Sequence, residues 1–123
     1  MKYGYRKDDG LLNEHGVCTS KNKIERIDLL EGCKGCKRSD HAIVEIVTTP
    51  NGKFLIGISF SNGNSGFGFA PSINSKAFDN RMEAIRYAFD RIMNFTPMDS
   101  KVKSAMEDNY YRIKDDEEQL TLF

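Results

Sequence analysis

The sequence has no tryptophan and, across 123 residues, only three prolines, three cysteines and two histidines. It also lacks a net charge, because 18 Lys and Arg offset 18 Asp and Glu. Each shortage removes a class of reading. An odd cysteine count argues against a closed disulfide framework and suits thiols or metal ligands in a reducing compartment. Zero net charge excludes a histone-like or polyacidic protein, so any nucleic-acid contact must come from a local patch. No stretch approaches the roughly 18 apolar residues of a membrane span, and the opening MKYGYRKDDG has no signal-peptide core. No membrane association is expected, and a cytoplasmic location is. Both histidines lie near the cysteines, so a Ser-His-Asp or Cys-His arrangement would have no free base. The chain is read as non-enzymatic.

What is present reads as one α+β domain. Ala42–Thr48 alternates, with Ala42, Val44 and Ile46 on one face and Ile43, Glu45 and Val47 on the other. Thr49-Pro50-Asn51-Gly52 is a hairpin turn, since proline presets φ and Asn-Gly accepts positive φ. Lys53–Phe60 then puts Phe54, Ile56, Ile58 and Phe60 on one face and Leu55, Gly57 and Ser59 on the other. Ser61–Gly66 is a second turn, and Phe67 and Phe69 mark a short third strand.

A helix opening at Asp79 or Asn80 carries Met82, Ile85, Phe89 and Ile92 on one stripe, with Glu83 placed as in a capping box. A second helix from about Asp99 aligns Val102, Met106, Tyr110 and Ile113. Ile24, Ile27 and Leu30 predict a short helix over Lys21–Glu31 that Gly32 could end. The expected order is α-β-β-β-α-α, a three-stranded antiparallel sheet covered by helices, with a zinc-stapled N-terminal segment. The expected divisions are a zinc-knuckle segment at 1–41, an α+β core at 42–114 and an acidic tail at 115–123.

His15-Gly16-Val17-Cys18 and Cys33-Lys34-Gly35-Cys36 are two x₂ pairs, fourteen residues apart. Two such knuckles supply the four ligands of a tetrahedral Zn²⁺, and thiolate and imidazole match its softness. Four protein ligands leave no open position for water, so the metal would be structural. His41 is an alternative fourth ligand. Lys21, Lys23, Arg26, Lys34, Lys37 and Arg38 surround this segment, and Lys21, Lys23, Lys34, Lys37 and Arg38 are candidate nucleic-acid contacts. Glu25, Asp28 and Glu31 interleave with them, as on a solvated face.

The chain closes with an acidic run, Asp115–Glu118, and then Gln119-Leu120-Thr121-Leu122-Phe123. This pentapeptide resembles the Gln-Leu-Ser/Asp-Leu-Phe motif that docks bacterial replication and repair proteins on the DNA polymerase sliding clamp. Gln119, Leu120, Leu122 and Phe123 match it, and Thr121 departs at the tolerant central position. The resemblance implies that Gln119 hydrogen-bonds at a pocket rim while Leu and Phe enter an apolar cleft. The acidic run is expected to hold the tail extended.

The aromatic hairpin, the glycine-rich turn, Phe69-Ala70-Pro71-Ser72 and the helix from Asp79 also look like small modules of phage and mobile-element DNA-processing proteins. The α-β-β-β-α order is similar to the double-stranded-RNA-binding domain, without the lysine cluster at its helix start. The expected function is that of a DNA-metabolism accessory protein of phage or mobile-element type, recruited to the clamp. The alternatives are a small regulatory or anti-defence inhibitor acting by protein–protein binding, and a zinc-containing nucleic-acid-binding module.

Overall fold

A computed structural model describes residues 24–63, 65–72, 76–95 and 99–121, with side chains through Gln119. Four strands, β1 (Ile24–Asp28), β2 (Asp40–Thr48), β3 (Phe54–Asn62) and β4 (Gly66–Phe69), precede two helices, α1 (Arg81–Met93) and α2 (Ser100–Thr121). The strands form one antiparallel sheet in the order β1-β2-β3-β4. The protein is therefore α+β, but its sheet has four strands where the sequence pattern indicated three.

The extra strand is β1, which stands where the described residues of the expected Lys21–Glu31 helix lie. An isolated helix that short is marginal in water, whereas pairing with β2 satisfies a whole backbone edge. The i, i+3 spacing of Ile24 and Ile27 also has a strand meaning. It places Ile24 opposite Val47 on one face and Ile27 opposite Val44 on the other. Arg26 lies opposite Glu45, an oppositely charged cross-strand pair. Charged Glu25, Arg26 and Asp28 also blunt this sheet edge against further pairing.

The β2–β3 hairpin forms at the expected turn. Gly52 takes φ 82°, and the Lys53 amide donates to Thr49 Oγ1 at 2.9 Å. Alternation on β2 and β3 then delivers Ala42, Val44, Ile46, Ile56, Ile58 and Phe60 to one face. There they meet Ala84, Ile85, Ala88, Phe89 and Ile92 of α1 in a single core. Asn80 caps α1, its side chain accepting from the amides of Met82 (2.7 Å) and Glu83 (3.2 Å).

The opposite face is not open either, since Val47 and Leu55 are fully buried. Pro71 crosses it above Gly57, where an added Cβ would lie 2.6 Å from the Phe69 carbonyl oxygen and from the proline ring.

α2 packs beside α1 through Val102, Met106 and Tyr110, and Tyr110 stacks on Phe89 with ring centroids 4.2 Å apart. The described part of the expected extended tail is helical instead, since α2 runs through the acidic run to Thr121. No Pro or Gly interrupts residues 100–123, and extending an existing helix is far cheaper than starting one. Arg81 also ties α2 to the sheet, pairing with both Glu25 of β1 and Glu117. Among the described residues, no helix is long and apolar enough to cross a membrane.

Candidate functional site

Several of the described chemistry-bearing residues lie where the β1–β2 connection meets α2, and others lie toward the end of that helix. At its start lies the β1–β2 connection. Leu29 and Leu30 anchor that turn in the core, and the Leu29 amide prolongs the ladder by donating to Ala42 O at 2.8 Å. Asp28 Oδ1 accepts from the Leu30 amide at 2.9 Å, and the Cys33 amide donates to Leu30 O at 3.0 Å. Gly32 (φ 74°) and Gly35 (φ 93°) then take the left-handed backbone that the tight reversal demands.

The turn is held from α2 by a residue that sequence reasoning passed over. Asn109 is buried, and its Nδ2 donates to the carbonyls of Leu29 (2.7 Å) and Glu31 (3.1 Å). Asparagine is a poor helix former. A lone Asn among the apolar positions of α2 was the available signal, because such a residue needs partners once buried.

The turn presents Cys33 and Cys36 on one side, with Cα atoms 5.9 Å apart and both side chains half-buried against the core. The sulfurs are joined as a disulfide. That oxidised form leaves no thiolate for a metal. His15, Cys18, Lys21 and Lys23 lie outside the described residues. Among those described, no group of three or more His, Cys, Asp or Glu is placed to hold a metal ion.

His41, the alternative ligand, points across the sheet from β2, its Nε2 3.0 Å from Ser59 Oγ. This His-Ser contact joins residues 18 apart in sequence, a product of the β2–β3 register that sequence spacing hides. Among the described residues no carboxylate bonds the other ring nitrogen, so the third group that would orient a catalytic base is not supplied there.

Lys34, Lys37 and Arg38 are exposed on the turn, whereas Arg26 faces Glu45 on β1. Lys101, from the first turn of α2, reaches over Gly35 and joins them. A Cβ on Gly35 would sit 3.0 Å from Lys101 Cδ. Glu31, Lys34, Ser104, Asp108 and Arg112 help line an open cleft of about 730 Å³ between turn and helix.

At the other end of α2, Tyr110 is the last buried residue on the described part of the helix, followed by half-buried Ile113. Asp115, Asp116, Glu118 and Gln119 are exposed, and Leu120 and Thr121 have helical backbone. Leu122 and Phe123 lie outside the described residues. Compared with protein-family models, curated proteins and solved structures, the chain matches none.

Proposed function

We propose that the protein is a non-enzymatic accessory factor of DNA metabolism, of phage or mobile-element type, that docks on the DNA polymerase sliding clamp through Gln119–Phe123. The observation that carries this reading is that α2 leaves the core before the motif begins. After Ile113 its described side chains are at most half-buried, and Gln119 stands exposed on the last turns. A segment carrying Leu120, Leu122 and Phe123 on such an arm has side chains for a partner's apolar cleft.

Docking as an extended peptide requires the last turn of α2 to unwind. Four successive carboxylates sit near the negative end of the helix dipole, where they weaken that turn. Unwinding there disturbs no fully buried contact of the described residues.

The same reading includes a structural Zn²⁺ held by His15, Cys18, Cys33 and Cys36 when the thiols are reduced. The metal would staple residues ahead of β1 to the β1–β2 turn, and oxidation of Cys33 and Cys36 would release it.

Titration of purified bacterial clamp against the full chain and a form lacking residues 119–123 tests the docking. Binding on the order of micromolar by the full chain, and none by the truncated form, is expected. Equal binding by both forms removes the replication link.

A further inference from the structure

The charges of α2 run against its own dipole. Lys101 and Lys103 occupy the first turn, where the helix end is already positive, and Asp115–Glu118 crowd the negative end. No acidic residue lies in the first turn and no basic one in the last. Asp99 offsets this in part, its Oδ1 accepting from the Lys101 amide at 2.7 Å. The charges of this helix gain little for its own stability, and local rules are broken most often where function requires it.

Lys101 also has company. Its stem lies over Gly35, and a Cβ there would be 3.5 Å from its Nζ. The ammonium group thus sits on the turn that bears Lys34, Lys37 and Arg38. None of these four cations makes an ion pair with another described residue, whereas Arg81, Arg86 and Arg112 all do. The nearby carboxylates are partly engaged. Glu31 lies 3.8 Å from Arg112, and Asp40 accepts from the Lys37 amide at 2.7 Å, leaving Asp108 along the cleft. The acidic end of α2 starts roughly 20 Å away along the helix, at 1.5 Å per residue. That is beyond the Debye length of about 8 Å at physiological salt, so it does not cancel the patch.

We propose that Lys34, Lys37, Arg38 and Lys101 form a contact surface for the phosphate backbone of a nucleic acid. The cations are exposed and spread over two elements, and among the described residues no buried side-chain nitrogen or oxygen lacks a hydrogen-bond partner. A single small anion would need fixed, converging donors. A repeating polyanion is gripped by solvated cations arrayed along a face, without reading of bases. The inference rests on this patch alone and does not depend on the clamp motif.

Fluorescence anisotropy of a labelled DNA duplex with the full chain, at 50–300 mM salt (about the range over which such contacts are lost), tests it. With three to four phosphate contacts, log K should fall against log salt with a slope of about −3 to −4. The Lys34→Ala/Lys101→Ala variant should bind at least about tenfold more weakly, and its slope should flatten by about two. Lys103→Ala removes the same charge from the same turn, but roughly 200° around the helix from Lys101, and should change affinity less than about twofold. Thermal melting checks that each variant is folded, and Lys34→Ala alone serves if the double variant is not. No binding by the wild type at low salt overturns the proposal. So does a double variant that binds as wild type, or a Lys103→Ala loss as large as the double variant's. Deleting 119–123 should leave this binding unchanged, so the patch and clamp readings fail separately.

Discussion

Asn109 should be worth more to this protein than any exposed polar residue of α2. Its amide is the buried link between the helix and the carbonyls of Leu29 and Glu31, which open the turn bearing Cys33 and Cys36. Asn109→Ala removes both hydrogen bonds and leaves at least the Leu29 carbonyl buried without this donor. Each bond contributes about 1 kcal/mol net, and an unsatisfied buried acceptor adds its desolvation, so the loss should be about 2–3 kcal/mol. For a domain of this size that lowers the melting temperature by about 6–15 °C. Asn109→Asp keeps the shape but turns acceptor oxygens toward two carbonyls and buries a charge, so it should be worse than alanine, by about 1 kcal/mol or more. Urea unfolding of the three proteins measures the order, and native-state hydrogen exchange localises it. The Cys33 amide, which donates to Leu30 O within the turn, should exchange faster in the variants. Unfolding midpoints equal to wild type for Asn109→Ala, or an aspartate variant no worse than alanine, would refute the reasoning.

Gly57→Ala should destabilise by about 1–3 kcal/mol, because the new Cβ meets the Phe69 carbonyl and Pro71 rather than a mobile side-chain tip. Denaturation showing wild-type stability would mean that the strand–proline crossing is looser than described. Burial raises the Tyr110 phenol above its ordinary value. The unfolded chain therefore ionises first, and stability should be intact below about pH 10 and fall as pH rises from there through the raised native value. Tyr110→Phe should flatten that alkaline slope, and an unchanged slope in denaturation above pH 10 counts against the assignment. Reduced protein should carry about one equivalent of Zn²⁺ by elemental analysis, lost on thiol oxidation. Finding no metal in protein kept reduced throughout would end the zinc reading.

Period-two alternation in β2 and β3 and the Asn-Gly turn between them were legible because these are local signals, enforced by one buried face and one backbone requirement. The α1 stripe and its Asn80 cap were legible for the same reason. The spacing of Cys33 and Cys36 marks them as neighbours, but spacing alone does not state their redox state. Pairing of Cys33 with Cys36 belongs to the folded turn.

What the tertiary structure decided were the outcomes of competition. Ile24 and Ile27 suit a helix or a strand, and the unpaired edge of β2 selected the strand, because a backbone ladder outweighs the weak propensity of a few residues. The acidic run reads as a solvated tail until a helix with no breaker extends through it and Arg81 pairs with Glu117. Asn109 reaching Leu29, His41 reaching Ser59 and Lys101 covering Gly35 join residues 80, 18 and 66 positions apart. No local pattern encodes such contacts, since they depend on how the turn, sheet and second helix share one core.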